Sequence, residues 1–255
     1  MGQLQRAWRK IRWSIEQRGV RGTAMQALAR VMDTGGPAKP AVHPFDEEFG
    51  TETSGFLSGG GLAGGHAHDQ FSTAYYGVAP SRMRQALARW IDTAGTGDVR
   101  EYTFVDVGSG KGRAVMLASE LPFREVVGVE LSADLHEVAK RNLRTWRESG
   151  RGGSPTRLVQ GDALSLSLPE GRLLIFLYNP FRAPVMRRLL ERVEAAVVDR
   201  GGEIDLLYVV PQQETVVAEF PKFELLWSER IEMSEMDAAA DHVSSPEDRV
   251  SLYRR

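Results

Sequence analysis

The sequence contains no cysteine, which excludes disulfide bonds and metal sites built from thiolates. Its formal net charge is only −2, so the whole surface has no excess of positive charge and we expect no strong nucleic-acid interaction. No hydrophobic run approaches the roughly 18 residues that a membrane span requires. The basic N-terminus is followed by no uninterrupted apolar segment, so we expect no secretory signal and a cytoplasmic protein.

Length and composition are those of a globular protein. The chain has 255 residues, 42% of them hydrophobic and 26% charged, which suits one large domain or one domain with an extension. The charge is unevenly distributed. Residues 1–30 hold seven Lys or Arg against one acid, whereas residues 229–248 hold seven acids against one base.

The N-terminal segment has the pattern of an amphipathic helix over 3–32. Its apolar residues recur at helical spacing: Leu4, Trp8, Ile11 and Ile15. Glycines and prolines follow, so we assign 1–42 to a basic helical N-terminal extension and linker. Three partners stay open for this helix: its own domain, the acidic segment 229–248, and an acidic partner such as nucleic acid or a membrane surface.

From residue 103 onward the chain alternates between strand and helix patterns. Predicted strands cover 103–107, 126–130, 156–160, 173–178, 204–210, 223–230 and 249–253. Predicted helices cover 80–92, 111–120, 133–146, 184–199 and 216–220. This alternation predicts an α/β fold with a mostly parallel seven-stranded sheet. The last two strands have no long helix between them, which predicts an antiparallel C-terminal edge.

The most informative segment is 104–112, Phe-Val-Asp-Val-Gly-Ser-Gly-Lys-Gly. A short apolar run leads to Asp106 and then to glycines at every second position: Gly108, Gly110 and Gly112. This pattern predicts a buried strand that turns sharply into a helix, with the backbone left bare so that a ligand can lie against it. A dinucleotide-binding fingerprint would place its third glycine one residue later, so the spacing disfavours a nicotinamide-dependent oxidoreductase.

This glycine spacing resembles the first motif of class I S-adenosylmethionine (SAM) methyltransferases. The resemblance implies a Rossmann-like class I methyltransferase domain over 81–255, SAM as cofactor and S-adenosylhomocysteine as product. In a parallel sheet, ligands bind at the C-terminal ends of the strands. The residues there, with the resemblance, make up the expected cofactor site: Asp106, Gly108, Ser109, Gly110, Gly112, Glu130, Asp162, Ala163, Asn179 and Tyr76.

Each acid at a strand end has an expected partner on the cofactor. Asp106 would accept a hydrogen bond from the ammonium group, and Glu130 from both ribose hydroxyls. Asp162 would take the adenine amino group, and the backbone amide of Ala163 a ring nitrogen. Glu130 stands about as far after the glycines as a ribose-binding acid is expected to stand.

Two further segments indicate a narrower family, and this second resemblance covers roughly residues 71–200. Tyr75-Tyr76-Gly77 precedes the fold, and Ile175-Phe176-Leu177-Tyr178-Asn179-Pro180-Phe181 ends the fourth strand. Both are similar to the non-SET lysine methyltransferases of the disruptor-of-telomeric-silencing type. A single proline follows Asn179, and the lysine channel and nucleosome-binding tail of the eukaryotic enzymes have no match. The resemblance therefore implies a bacterial-type relative whose substrate is not defined.

The expected chemistry is in-line methyl transfer to the nitrogen of a small-molecule amine or a protein lysine. The candidate catalytic residues are Asn179, Pro180, Phe181 and Tyr76. The Asn179 oxygen and the Pro180 carbonyl would orient the amine, while Phe181, Tyr76 and Tyr75 would form the wall around the reacting groups. The alternative interpretation of Asn179-Pro180 is a helix cap followed by a first-turn proline.

Residues 43–80 lack a clear periodicity and are expected to form a lid or substrate loop, because long loops inside compact domains are usually functional or disordered. His66 and His68 lie in this loop, but no third ligand follows at a convincing spacing, so no metal site is predicted. Two other functions stay open. One is O-methylation of a small metabolite, with His66 or His68 as base. The other is a non-catalytic SAM-binding scaffold.

Overall fold

The computed structural model describes residues 42–57, 66–93, 98–200, 202–241 and 244–255. The predicted basic helix over 3–32 lies outside the described residues, as does the glycine run 58–65 of the expected lid. Among the helices that the structure does describe, none has both the length and the apolar character needed to cross a membrane.

The strands form one large sheet and one small ribbon. The ribbon pairs β1 (Phe56–Leu57) with β2 (Tyr75–Tyr76) in antiparallel register. The strands of the large sheet are β3 (Tyr102–Val107), β4 (Glu125–Glu130), β5 (Thr156–Gln160), β6 (Arg172–Tyr178), β7 (Ile204–Val209), β8 (Glu224–Glu232) and β9 (Glu247–Arg254). Across the part of the chain that the structure describes, their order is β5-β4-β3-β6-β7-β9-β8.

The large sheet confirms the predicted fold class. Strands β3 to β7 pair in parallel, and β9 pairs antiparallel with both of its neighbours. The antiparallel strand is therefore the last in the chain, but it lies between β7 and β8 rather than at the rim. Seven strands in this order, with helices around them, make a Rossmann-like methyltransferase fold.

Helices cover the sheet. They are α1 (Pro44–Phe49), α2 (Pro80–Thr93), α3 (Arg113–Ala118), α4 (Ala133–Glu148), α5 (Ala183–Arg200), α6 (Glu214–Val217) and α7 (Glu235–Ala240). Helix α3 begins later than predicted because its N-cap, Gly112, has a left-handed φ of 86°. Helix α6 begins and ends earlier than the predicted 216–220. Helix α1 was not predicted, because six residues are too few to show a helical period.

The core lies on both faces of the sheet because side chains alternate along each strand. On one face Phe104 and Phe176 of the neighbouring strands β3 and β6 stack with ring centroids 5.8 Å apart. On the other face Val105 and Ile175 are fully buried. Parallel strands covered on both faces need near-continuous apolar runs, which is the pattern that made these strands predictable. This packing fixes the C-terminal ends of the strands, where the polar residues follow.

Candidate cofactor and active site

The strand-end residues form a row along one edge of the sheet. Asp162 follows β5, Glu130 ends β4, the glycine loop follows β3 and Asn179 follows β6. These four strands are consecutive neighbours in the sheet. Since strands lie about 4.8 Å apart, the row spans roughly 14 Å. The cleft above it contains side chains from every predicted strand end except Asn179.

The glycine loop has a backbone that only glycine adopts easily. Gly108, Gly110 and Gly112 have φ values of 77°, 54° and 86°. The N–H groups of Gly108 and Ser109 both donate to the Val129 carbonyl at 2.9 Å. The loop is thereby held against the end of β4.

The chain's own side chains occupy the space that the missing Cβ atoms leave. A Cβ on Gly110 would lie 2.3 and 2.4 Å from two ring carbons of Tyr75, and a Cβ on Gly108 would lie 2.9 Å from the Cβ of Pro180. The sequence predicted a bare backbone kept clear for a ligand. The structure shows that these two glycines are also required by close packing within the protein.

Glu130 holds the glycine loop through hydrogen bonds to the backbone. Its Oε2 accepts a hydrogen bond from the Gly110 N–H, and its Oε1 accepts one from the Ser132 N–H, each at 2.8 Å. Burial raises the pKa of Glu130, and these backbone hydrogen bonds oppose that effect. A carboxylate has about four acceptor positions, so Glu130 keeps acceptor capacity for a ribose hydroxyl beside its backbone hydrogen bonds.

Asp106 is a buried acid of the cleft without a hydrogen-bond donor to stabilise its charge among the described residues. Its carboxyl is 3% exposed, and none of the described residues donates a hydrogen bond to it. Burial, with a smaller contribution from the charge of Glu130, raises the pKa of Asp106 to about 8. A buried carboxylate without a partner is costly, and a cation in the cleft would remove that cost.

Asp162 is held by two donors. Its Oδ1 accepts from the Leu164 N–H at 2.9 Å, where Asp162 caps a 3-10 turn that begins with Ala163. Its Oδ2 lies 2.8 Å from Nδ1 of His68, and Nε2 of the same ring lies 3.2 Å from a guanidinium nitrogen of Arg188. Sequence reasoning could not pair His68 with Asp162, because 94 residues separate them.

Asp162 is also the third potential metal ligand that the sequence did not reveal. Ligand atoms of His66, His68 and Asp162 lie within 4.8 Å of one another. The Nδ1 atom of His66 accepts a hydrogen bond from the backbone N–H of His68 at 3.1 Å. Both ring nitrogens of His68 are engaged as well, so the histidines already have hydrogen-bond partners.

The segment after β6 differs in detail from its expected role. Asn179 has a left-handed φ of 44°, and its Oδ1 lies 3.4 Å from the Tyr208 hydroxyl. The Pro180 carbonyl accepts the Thr73 N–H at 3.2 Å. Pro180 and Phe181 line the cleft. Orientation of an acceptor amine by Asn179 and the Pro180 carbonyl stays a prediction, since both groups have partners within the protein.

The three aromatic residues expected near the reacting groups, Tyr75, Tyr76 and Phe181, line the cleft, and Tyr178 lines it as well. Tyr75 is buried over the glycine loop and donates its hydroxyl to the Thr53 carbonyl at 2.6 Å. Burial raises the pKa of Tyr76, with a further contribution from its hydrogen bond to Asp241. Neither tyrosine is therefore prepared to act as a base.

The described N-terminal residues 42–57, here called the strap, are tied to the glycine loop. Arg113, the first residue of α3, donates from Nε to the Thr53 hydroxyl at 2.6 Å, and Lys111 Nζ donates to the Ser54 carbonyl at 2.8 Å. Asp46 organises the strap by accepting from Thr53 and Ser54 backbone and hydroxyl groups. The sequence indicated a loop here but not the acid that folds it.

The central part of the chain is similar to a known protein family. Residues 105–177 match the family model of a methyltransferase domain. The matched segment runs from the middle of β3 to the end of β6, so it contains the glycine loop, Glu130 and Asp162. The match supports the predicted methyltransferase domain with SAM as its cofactor. It does not distinguish the disruptor-of-telomeric-silencing branch, which stays a prediction.

One curated relative is similar over part of the chain. The release factor glutamine methyltransferase of Burkholderia pseudomallei is 35% identical over 77 residues, which are 30% of this chain and 27% of that protein. The chain therefore spans about a quarter of the length of this relative.

Solved methyltransferase structures have a similar chain path at low identity. The SAM-bound magnesium protoporphyrin IX methyltransferase of Synechocystis PCC 6803 aligns with a TM-score of 0.46 and 12% identity, over 69% of this chain and 80% of that one. The glycopeptide N-methyltransferase MtfA, also SAM-bound, aligns with a TM-score of 0.46 and 15% identity, over 70% and 95%.

Proposed function

We propose that this protein transfers the methyl group of SAM to the nitrogen of an amine. The observation that carries the proposal is the Asp106 carboxyl, buried in the cleft with no hydrogen-bond donor among the described residues. SAM carries a positive ammonium and a positive sulfonium group. A cofactor of this charge would supply the partner that Asp106 lacks.

The remaining strand ends fit the other parts of the cofactor in linear order. Asp162 and the Ala163 amide would hold the adenine, and Glu130 the ribose. Gly108 to Gly112 would lie beside the amino-acid end, next to Asp106. Because β5, β4 and β3 are consecutive neighbours, the adenine, ribose and amino-acid groups would follow the sheet edge in the order in which they are bonded.

The chain's own residues would exclude water and position the acceptor. Bound SAM supplies an electrophilic methyl group on its sulfonium. Tyr76, Tyr178 and Phe181 line the cleft, and an aromatic face beside a cation contributes about 0.5–2 kcal/mol. Methyl transfer to a neutral amine needs alignment more than acid–base catalysis.

The positions of the histidines favour nitrogen over oxygen as the acceptor. O-methylation would require a base near Asn179, for which His66 and His68 were the candidates. His68 contacts Asp162 instead, at the β5 end of the row. Three strand spacings, roughly 14 Å, separate that end from Asn179. The ring hydrogen bonds of both histidines go to Asp162, Arg188 and the His68 backbone rather than to Asn179, which supports an acceptor that needs no base.

Calorimetric titration tests the cofactor first. SAM and S-adenosylhomocysteine should bind with micromolar affinity and NAD should not. Asp106→Asn should weaken SAM at least about tenfold, because a charge-assisted hydrogen bond is lost, whereas Asp98→Asn, at an exposed acid far from the cleft, should leave the affinity unchanged. SAM should also lower the pKa of Asp106, so binding near pH 7 should release protons when measured in two buffers of different ionisation enthalpy.

A screen of acceptors tests the transfer itself. Primary amines and lysine peptides should release S-adenosylhomocysteine at a rate that rises with pH as the amine loses its proton, and phenols should not react. Turnover of hydroxylated acceptors alone would refute N-methylation. Binding of SAM without turnover on any acceptor would indicate the scaffold, and binding of NAD in place of SAM would refute the whole proposal.

A further inference from the structure

His68 connects two parts of the cleft that are remote in sequence. It lies in the segment that connects β1 to β2, and its side chain crosses to the end of β5. There its Nδ1 lies 2.8 Å from Asp162 Oδ2 and its Nε2 lies 3.2 Å from a guanidinium nitrogen of Arg188. The ring is 19% exposed and lines the cleft.

Arg188 and Asp162 together determine which nitrogen of His68 carries the proton. A guanidinium only donates hydrogen bonds, so the His68 Nε2 beside it must accept. The neutral ring then carries its proton on Nδ1 and donates it to Asp162 Oδ2. Together with the Leu164 N–H on Oδ1, this donor fixes both oxygens of the carboxylate.

We propose that His68 is a positioning residue for adenine recognition. Arg188 supports the tautomer that Asp162 also requires, and the Nδ1–H of His68 holds the Asp162 carboxylate in the orientation that accepts the adenine amino group. This inference rests on the proposed function, because it assumes that SAM occupies the cleft. Two acceptor positions of Asp162 remain after the protein's own hydrogen bonds, enough for one amino group.

The arrangement makes the cleft selective for a purine with an amino group at position 6. A purine with an oxygen there would place an acceptor against a fixed carboxylate, leaving two acceptors opposed in a partly buried site. Without His68 the carboxylate can rotate about its Cβ–Cγ bond, and it no longer opposes the oxygen in a fixed geometry. Loss of His68 should therefore reduce the affinity for the 6-amino purine and also the preference for it over the 6-oxo purine.

The test compares S-adenosylhomocysteine with S-inosylhomocysteine, in which an oxygen replaces the amino group. His68→Leu should weaken S-adenosylhomocysteine about tenfold in calorimetry and leave S-inosylhomocysteine within about twofold, so the preference collapses. His68→Asn places an amide N–H near the original Nδ1 position and should restore most of the preference. Arg188→Met should reduce it by an intermediate amount.

His66→Asn is the matched control, because the Asn side-chain oxygen can replace His66 Nδ1 as the acceptor of the His68 backbone N–H. The His66 ring contacts His68 edge to face, with centroids 5.2 Å apart, but does not touch Asp162 in a hydrogen bond. The His66 variant should change the affinity for S-adenosylhomocysteine and for S-inosylhomocysteine by no more than about twofold. In the ligand-free protein, ¹⁵N spectra of the imidazoles should show His68 protonated at Nδ1, and Arg188→Met should weaken that preference without reversing it, because the Asp162 carboxylate still requires a donor at Nδ1.

Equal weakening of both ligands by His68→Leu would overturn the inference and leave His68 a packing role. An Nε2-protonated His68 would overturn it as well. If the wild-type protein binds S-adenosylhomocysteine but shows no preference over S-inosylhomocysteine, the inference fails while the proposed function stands. If the wild-type protein binds neither, the proposed function fails and takes the inference with it.

Discussion

At the scale of single residues, Asp106 gives the folded protein a distinctive pH dependence. Burial raises its pKa to about 8, above the ordinary value near 3.9 of an unfolded chain. The folded state therefore binds a proton more tightly than the unfolded state does. The free energy of unfolding should consequently fall as the pH rises from about 4 to about 8.

We expect Asp106→Asn to remove this dependence. Between pH 5 and pH 8.5, the wild-type Tm should fall by at least about 2 °C more than the Tm of the variant, which corresponds to about 1 kcal/mol in a chain of this size. Thermal melts of the ligand-free proteins measure this difference. Glu170→Gln, at an exposed position, should behave like the wild type. If the Tm of Asp106→Asn depends on pH as the Tm of the wild type does, Asp106 is not the group that causes the dependence.

Gly110 should tolerate no side chain. Its left-handed φ of 54° and the Tyr75 ring carbons at 2.3 and 2.4 Å from an added Cβ oppose even alanine. Gly110→Ala should therefore cost about 1–3 kcal/mol of unfolding free energy through overpacking, in addition to backbone strain. Chemical denaturation measures the loss.

Gly150 separates these two causes. Its φ of 76° is also left-handed, but nothing lies within 4 Å of an added Cβ. Gly150→Ala should show the backbone strain alone, about 1–2 kcal/mol. If the two variants lose equal stability, the contact with Tyr75 contributes nothing.

At the scale of elements, the strap depends on one buried acid. Hydrogen bonds from Ser54, Thr51 and Thr53 lower the pKa of Asp46 although burial alone would raise it. An acid whose pKa is lowered by folding contributes stability above its ordinary pKa, and that stability is lost as the pH falls through the lowered value. The strap should therefore loosen on acidification.

Asp46→Asn should loosen the strap at neutral pH. The substitution replaces one carboxylate oxygen by an amide NH₂, which then faces hydrogen-bond donors of the strap and cannot accept from them. We expect the Thr53 and Ser54 amides to exchange hydrogen at least about tenfold faster, equivalent to about 1.4 kcal/mol, while the β3 amides keep their protection. Asp98→Asn, at an exposed acid that also accepts a backbone N–H, is the control. Unchanged strap exchange would show that the ribbon and Arg113 suffice to hold it.

A second buried acid joins a helix to the sheet. Asp205 of β7 is fully buried and accepts the Trp90 indole N–H of α2 at 2.7 Å and the Arg254 Nε of β9 at 2.8 Å. Asp205→Ala would leave the buried indole N–H without its acceptor and Arg254 with weaker compensation. We expect a loss of about 3–5 kcal/mol in chemical denaturation.

An exposed ion pair provides the comparison. Arg187 and Glu219 lie 2.6 Å apart but are both more than 40% exposed. Glu219→Ala should therefore cost less than about 1 kcal/mol. A loss as large as that of Asp205→Ala would mean that burial does not decide the difference.

At the scale of the whole molecule, the sheet edge and residues of segment 66–78 form the two sides of one cleft. Segment 42–57 is tied to the glycine loop by hydrogen bonds from Lys111 and Arg113. Segment 66–76 reaches the end of β6 through Thr73 and the end of β5 through His68. A ligand that fills the cleft should therefore stabilise segment 66–76 and the sheet together.

S-adenosylhomocysteine at about 100 times its Kd should stabilise the fold by about 2.7 kcal/mol. For a chain of this size that predicts a Tm higher by roughly 5–10 °C, together with slower hydrogen exchange in the glycine loop and in 66–76. NAD at the same concentration is the control. A higher Tm without slower exchange in 66–76 would place the ligand outside the cleft.

Local pattern was sufficient to predict the fold class and most of the strand ends. Strands covered on both faces require continuous apolar runs, and sharp strand-to-helix turns require glycine, so β3, β4 and β6 and the loop after Asp106 were visible in the sequence. Helix α1 was missed because it is shorter than two turns. Asp106, Glu130 and Asp162 could be chosen because parallel strands bring their C-terminal ends to one edge.

The sequence by itself determined which residues end the strands, because each strand and turn is specified by residues close together in the chain. Only the tertiary structure decided what those residues contact. The partner of Asp162 is 94 residues away at His68, the ring over Gly110 belongs to Tyr75, and Asn179 points to Tyr208. Such contacts depend on how distant segments pack, and no spacing along the chain encodes them.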